Sequence, residues 1–72
     1  MTKPVLAKII KIRRDKRFSQ NYMALQLNIS QSFYNKIENG KKELTLNRVL
    51  QIVKILDVDI TELFQPNNNK SA

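Results

Sequence analysis

The sequence predicts an all-α fold built around one small core. Hydrophobic residues make up 42% of the 72 residues, and a single glycine and two prolines interrupt them, which favours a compact helical domain over a turn-rich β-fold. Several segments repeat apolar residues at the spacing of a helix face. The chain has neither cysteine nor histidine, so we expect no disulfide, no metal site and a fold stabilised by packing alone.

The first predicted helix runs from about Pro4 to Lys16. Pro4 suits the first turn of a helix, where its missing N–H costs no hydrogen bond. Beyond it, residues that can face a core recur at helical spacing. They are Leu6, Ile9, Ile12 and Arg13.

Two short helices joined by a tight turn are predicted next. Ser19 is the expected N-cap of a helix from Gln20 to Leu27, and Ser30 is the expected N-cap of a helix from Gln31 to Asn39. Asn28 lies between them, and asparagine is among the few residues other than glycine that tolerate a left-handed conformation. The sequence therefore predicts a sharp change of direction at this residue.

A wide apolar stripe predicts a fourth helix with much of its circumference buried. Its members are Leu46, Val49, Leu50, Ile52, Val53 and Leu56. Asp59, three residues before Glu62, resembles a capping box and predicts a last helical turn that stops before Pro66. We therefore expect residues 1–65 to form one domain and residues 66–72 to form a disordered tail.

The charge of the chain favours a polyanion as partner. Lys and Arg number 13 against 6 for Asp and Glu, giving a net charge of +7 on a small body. A solvated basic face kept for solubility would explain the same composition. The chain has no apolar run of the length that spans a membrane and no recognisable leader segment, so we expect a cytoplasmic, nucleoid-associated protein without membrane binding.

A motif runs through the two short helices and their turn. Its residues are Phe18-Ser19-Gln20, Met23-Ala24, Leu27, Ile29-Ser30 and Ile37-Glu38-Asn39-Gly40-Lys41. The motif resembles that of the Cro/C1-type (XRE-family) helix-turn-helix regulators of phages and bacteria, and the likeness covers about residues 6–64. It implies a lambda-repressor-like bundle of five short helices in which residues 19–40 form a DNA-binding helix-turn-helix.

Two positions of the motif have a direct physical reason. The helices of a helix-turn-helix approach closely and need a small side chain at the crossing, which Ala24 supplies. Taken alone, Ala24 is an ordinary helix-favouring residue. The turn usually carries glycine in the family, and Asn28 stands there in this chain.

The polar face of the third helix is the candidate base-reading surface. By resemblance, Gln31, Ser32 and Lys36 occupy base-reading positions, and their amide, hydroxyl and ammonium groups suit the edges of the bases. A merely solvated polar face is the alternative interpretation. We expect Phe33 to pack in part on the second helix, and contact with a thymine methyl group or a sugar is the alternative.

Other residues are expected to contact DNA phosphates. The resemblance places Gln20 against a phosphate at the start of the second helix, although it could instead be a local capping partner. It assigns the same role to residues of the third helix and the loop after it, where a solvated loop is the alternative. These residues are Asn35, Asn39, Lys41 and Lys42.

Two further groups are implied by the resemblance. Arg13 and Glu38 are charged where their helices otherwise face the core, and such positions often form an ion pair that ties the first helix to the end of the third. Ile55, Ile60 and Phe64 exceed the needs of one small core, and they lie where the family often forms a dimer seam. A homodimer is therefore expected.

The leading functional hypothesis is a repressor that binds a palindromic operator in double-stranded DNA as a dimer. An antitoxin that also holds a toxin partner, and a protein-interaction module that no longer binds DNA, remain as alternatives. An enzyme is disfavoured because histidine and cysteine are absent and because capping and surface roles account for Asp57, Asp59 and Glu62. We expect neither a cofactor nor a small-molecule ligand.

Overall fold

The computed structural model describes residues 2–65, which form four α-helices and one 3₁₀ helix without any β-strand. This part of the chain is therefore all-helical, as predicted. The expected tail, residues 66–72, lies outside the described residues. The elements are α1 (Thr2–Asp15), α2 (Gln20–Leu27), α3 (Gln31–Glu38), α4 (Leu46–Leu56) and the 3₁₀ helix Ile60–Phe64.

Both predicted ends of α1 need correction. The helix begins at Thr2 rather than Pro4, because the first four N–H groups of a helix have no partner within it and proline is tolerated throughout that turn. It ends at Asp15 rather than Lys16. The reason is Arg17, whose φ of 64° is left-handed and turns the chain away from the helix axis.

The predicted fifth helix is also corrected. The segment after α4 is a 3₁₀ helix of five residues, too short for a stable α-helix. The Asp59 carboxylate accepts hydrogen bonds from the backbone N–H and the hydroxyl of Thr61, both at 3.0 Å, instead of pairing with Glu62 in a capping box. Similarly, α3 ends at Glu38 and not at Asn39, since Gly40 follows with a φ of 78°.

A left-handed residue follows each of the four α-helices within two residues of its last residue. These residues are Arg17, Asn28, Gly40 and Asp57. At the end of α2, for example, the Ile29 N–H donates to the Ala24 carbonyl at 3.0 Å and the Asn28 N–H to the Leu25 carbonyl at 3.1 Å. These bonds satisfy carbonyls that the helix leaves open. The left-handed turn predicted at Asn28 is confirmed.

Serine caps position the two short helices as predicted. The Ser19 hydroxyl accepts from the Tyr22 N–H at 2.9 Å, and the Ser30 hydroxyl accepts from the Phe33 N–H at 3.0 Å. Thr45 caps α4 by the same geometry, a role that the sequence analysis missed. Each cap satisfies a backbone donor at the start of its helix, so both helices of the motif have fixed first residues.

The core lies where α2 packs against α3 and α4 and where α1 packs against the 3₁₀ helix. Ala24 is only 1% exposed, in agreement with the small residue expected at the crossing of α2 and α3. The largest fully buried side chains are Tyr34, Ile9, Met23, Ile37, Ile52, Leu56 and Leu63. No helix within residues 2–65 is long and apolar enough to cross a membrane.

The apolar stripe of α4 is narrower than predicted. Leu46 is 68% exposed and Leu50 is 47% exposed, whereas the other four members of the stripe are buried. Leu46 and Leu50 lie one turn apart on a flank of the helix. A domain of this size covers only one face of α4, so this flank is left to solvent.

Candidate nucleic-acid interface

The outward face of α3 carries the three predicted base-reading residues. Gln31, Ser32 and Lys36 are all exposed, while Tyr34 and Ile37 on the opposite face are buried. Because Ser30 caps the first turn, Gln31 and Ser32 stand at a well-defined helix N-terminus. The structure thus presents one continuous polar face with amide, hydroxyl and ammonium groups.

Arg13 and Glu38 form a buried, two-point ion pair. The Arg13 Nε donates to Glu38 Oε2 at 2.7 Å and Nη2 donates to Oε1 at 3.2 Å. The Arg13 Nη1 also donates to the Phe18 carbonyl at 2.8 Å. The two side chains are only 8% and 3% exposed. The structure therefore brings together the two charges that the resemblance paired, and it joins α1 to the last residue of α3.

The surroundings of Glu38 keep its carboxyl group ionised. Burial by itself raises the pKa of Glu38, but the neighbouring Arg13 guanidinium, Tyr34 hydroxyl and Gln20 amide outweigh it, so the pKa lies below the ordinary 4.5. A negative charge at Glu38 is thus the resting state at neutral pH.

Tyr34 places a hydroxyl group beside this ion pair. The residue is fully buried, and its hydroxyl oxygen finds no hydrogen-bond partner of acceptable geometry among the described residues. Burial, and then the nearby Glu38 charge, raise the pKa of Tyr34 far above its ordinary value. The Tyr34 hydroxyl therefore stays protonated and uncharged beside the ion pair.

Three of the predicted phosphate-contacting residues touch one another. The Gln20 Nε2 donates to Glu38 Oε1 at 2.9 Å, and the Asn35 Nδ2 donates to Gln20 Oε1 at 3.2 Å. The Asn39 Nδ2 donates in turn to Asn35 Oδ1 at 3.0 Å. Gln20 thus bonds to the end of α3 and not to its own helix terminus. The sequence predicts a phosphate role for each of these residues but not that they form one network.

The loop after α3 and the start of α4 form a basic cluster. Lys41 and Lys42 are exposed, as expected for phosphate contacts. The Lys42 ammonium lies 5.6 Å from the centre of the Phe33 ring, and the Arg48 guanidinium lies 5.9 Å from it. Phe33 is 37% exposed. Its ring is therefore partly open to solvent and lies close to two cations.

Arg48 is a site residue that the sequence motif does not include. It lies in the first turn of α4, where the positive end of the helix dipole disfavours a cation. Such an unfavourable placement is a signal that could have drawn attention to it. Its Nη1 donates to Gln51 Oε1 at 3.1 Å, which holds the guanidinium beside Phe33.

Comparison with known proteins agrees with this geometry. The sequence model of a family described as helix-turn-helix matches residues 9–63, which include both short helices and their turn. The chain belongs to the helix-turn-helix family. The resemblance to Cro/C1-type regulators is therefore confirmed, and such helix-turn-helix proteins are DNA-binding regulators of transcription.

A curated relative supports the same assignment. This helix-turn-helix chain is 34% identical to control protein C.MunI of a Mycoplasma species over 58 residues, which are 79% of this chain and 78% of that protein. No solved structure matches the chain.

The predicted dimer-seam residues differ in exposure. Phe64 is 63% exposed, whereas Ile55 and Ile60 are partly buried against the core of their own chain. Among residues 2–65, no group of three or more acidic side chains is arranged to hold a metal ion. The described surface of this helix-turn-helix protein thus offers polar and basic groups on α3 and the following loop.

Proposed function

We propose that this protein is a sequence-specific repressor that inserts α3 into the major groove of duplex DNA. The observation that carries the proposal is the exposed polar face of α3, with Gln31, Ser32 and Lys36 outward on a helix whose other face is anchored in the core. Gln matches the N6 and N7 edge of adenine, and Lys matches the O6 and N7 edge of guanine. A helix-turn-helix places its second helix in the groove, with its N-terminal residues at the bases.

Contacts to the DNA backbone would accompany this helix. Gln20, Asn35 and Asn39 form one amide network beside α3, and Lys41 and Lys42 follow on the exposed loop. Arg48 adds a third cation to the loop cluster. Phosphate contacts of this kind fix the register of the protein on the duplex without reading the sequence.

A homodimer on a palindromic operator completes the proposal. Phe64 is a large apolar side chain that its own domain leaves 63% exposed, and Ile55 and Ile60 reach the surface in part. A two-fold dimer would present two copies of α3 to half-sites about 34 Å apart, one turn of the duplex.

The function is tested by selecting binding sites from a random duplex pool and measuring affinity for the enriched duplex over a salt series. We expect one enriched sequence with two-fold symmetry. The logarithm of its affinity should fall with the logarithm of salt by about 0.9 for each phosphate contacted. No enrichment, or a complex insensitive to salt, would contradict DNA binding as the function.

The dimer is tested separately by sedimentation of the free protein and of its complex. Phe64→Ser should weaken self-association and lower operator affinity. Leu25→Ser is the matched control, since Leu25 is 68% exposed but lies on α2 outside the proposed seam. A monomer on a single half-site, or equal effects of the two substitutions, would contradict the proposed seam.

A further inference from the structure

A continuous run of hydrogen bonds leads from a buried carboxylate to the surface. It starts at Glu38, which is 7% exposed, passes through the half-buried side chains of Gln20 and Asn35, and ends at the exposed Asn39. The three links measure 2.9, 3.2 and 3.0 Å from donor to acceptor. Residues of α2 and of the end of α3 are therefore joined by side chains as well as by the turn between the helices.

The charge of Glu38 fixes the direction of every link. A carboxylate can only accept, so Gln20 must turn its Nε2 toward Glu38 and its Oε1 toward Asn35. Asn35 must then offer its Nδ2 to that oxygen and its Oδ1 to Asn39. Reversing one amide would bring oxygen against oxygen or nitrogen against nitrogen. One buried charge thus determines the orientation of three amides that would otherwise flip freely.

The network leaves donors for a ligand. Each amide nitrogen carries two N–H groups and donates once within residues 2–65. Arg13 balances the charge of Glu38 through two hydrogen bonds, so the near end of the network does not repel an anion. A row of uncommitted N–H donors beside a basic loop suits an oxyanion with several acceptor oxygens, such as the phosphates of a DNA strand.

We infer that Glu38 is a positioning residue for DNA-backbone binding, acting through Gln20, Asn35 and Asn39 as a single directed unit. The inference rests on the proposed function and adds to it the coupling between these residues. If the three amides bound phosphates independently, their contributions to affinity would multiply. If they act as a directed unit, losing Asn35 removes the orientation of Asn39, while Gln20 stays held by Glu38.

The first test uses the opposite signs that charge and positioning predict for Glu38→Gln. This substitution removes a negative charge, so electrostatics alone predicts tighter binding to DNA. A glutamine can present either its oxygen or its nitrogen to Gln20, so the network loses its fixed direction. We expect affinity to fall about tenfold for the operator and for unrelated duplex alike. Equal or tighter binding by the folded variant would overturn the inference.

The second test leaves Arg13 and Glu38 unaltered, so it can be carried out even if Glu38→Gln does not fold. Affinities are measured for Gln20→Ala, Asn39→Ala and their double variant, with Asn35 present and with Asn35→Ala. We expect each single change to cost about tenfold and the double variant little more than either. In the Asn35→Ala background Asn39→Ala should have little effect, because Asn39 has lost its link to Glu38, whereas Gln20→Ala should keep its cost. The salt slope should stay constant, because only neutral groups are removed.

The outcomes separate this inference from the proposed function. A double variant weakened about 100-fold, the product of two independent losses, would overturn the coupled unit while leaving DNA binding intact. Failure of the unaltered protein to bind any duplex would overturn the function and the phosphate role together. In the free protein, Gln20→Ala should shift the side-chain amide resonances of both Asn35 and Asn39. An unchanged Asn39 resonance would also contradict the network.

Discussion

Arg13 on α1 holds Glu38 at the end of α3 through hydrogen bonds of 2.7 and 3.2 Å, across 25 residues of sequence. Glu38 also accepts a hydrogen bond from Gln20. The same carboxylate therefore pairs with Arg13 and contacts the amides beside α3. The chain offers a direct comparison in the exposed pair Lys11–Asp15, whose nitrogen and oxygen lie 2.8 Å apart. The nitrogen-to-oxygen distances of the two pairs are similar, but the Arg13–Glu38 pair is buried and the Lys11–Asp15 pair is exposed.

This comparison gives the first prediction. Glu38→Ala should lower the free energy of unfolding by about 3 kcal/mol, because it leaves the Arg13 charge buried without its partner, and Arg13→Ala should behave similarly. Lys11→Ala should change stability by less than about 0.5 kcal/mol, because its pair is 57% and 63% exposed. Urea unfolding of the three variants provides the measurement. Equal small changes in all three would show that the buried pair is not structural.

The second prediction concerns acid. The pKa of Glu38 is lowered in the folded protein, so the carboxylate stabilises the fold above the ordinary pKa of 4.5, and this stabilisation is lost as the pH falls through the folded value. The melting temperature of the unaltered protein should therefore decline below about pH 4.5. Glu38→Gln should reduce this decline, and the gap between the two proteins should narrow toward low pH.

Asp59 is the control for the acid prediction. Hydrogen bonds from Thr61 lower the pKa of Asp59 as well, but this carboxyl is fully exposed. Asp59→Asn should keep most of the decline of melting temperature in acid. If Asp59→Asn removed it and Glu38→Gln did not, the ion pair would not be the source of the acid sensitivity.

The third prediction uses the left-handed helix ends. Gly40 has a φ of 78°, and a Cβ built on it meets only Leu6 Cδ1 at an ordinary 3.9 Å. Gly40→Ala should thus cost about 1 kcal/mol from backbone strain alone.

Asp57→Gly should raise the melting temperature, because it relieves the φ of 58° and removes a negative charge from the C-terminal end of α4. Destabilisation by Asp57→Gly would contradict this account of the helix ends.

Local signals predicted most of the helical framework. The serine caps and the αL-tolerant Asn28 set the bounds of α2 and the start of α3, since each acts through bonds to neighbouring residues. Asp57 takes the same conformation as Asn28 and belongs to a residue type that also tolerates it, whereas Arg17 takes it without a comparable sequence signal. At Arg17, packing of the following Phe18 against the core overrides the preference of the side chain. The periodic pattern of apolar residues also could not distinguish a 3₁₀ helix from an α-helix at residues 60–64.

The side-chain network shows where such local signals end. Gln20 and Asn35 are 15 residues apart, and their contact depends on how α2 crosses α3. Sequence patterns identify both as polar but give no distance between them. The exposure of Leu46 was not predicted for a related reason. Periodicity predicts which face of a helix is apolar, but not how much of that face the rest of the domain covers.

The fourth prediction tests the backbone contacts. Lys41→Ala should lower affinity about evenly for all duplexes and reduce the salt slope by about 1, as expected when one phosphate contact is lost. Lys54→Ala is the matched control, since Lys54 is an exposed lysine in the last turn of α4, away from the basic loop in sequence. A change in preferred sequence on Lys41→Ala, or equal slopes for the two variants, would contradict the assignment.

The fifth prediction concerns the bases. Gln31 and Lys36 point about 140° apart on α3 and cannot lie in one line, but the N-terminal Gln31 can enter the groove while the longer Lys36 reaches the adjacent base pair. Gln31→Ala should cost about 1 to 3 kcal/mol on the preferred site and little on unrelated DNA. On a palindrome the same position must relax in both half-sites, because two-fold symmetry presents identical helices.

Binding-site selection repeated with the unaltered protein, Gln31→Ala and Lys36→Ala tests the central claim most directly. We expect the unaltered protein to select one symmetric sequence. Each variant should lose preference at its own position in each half-site and keep the others. Identical base preferences in all three selections would show that α3 does not read the sequence through these residues.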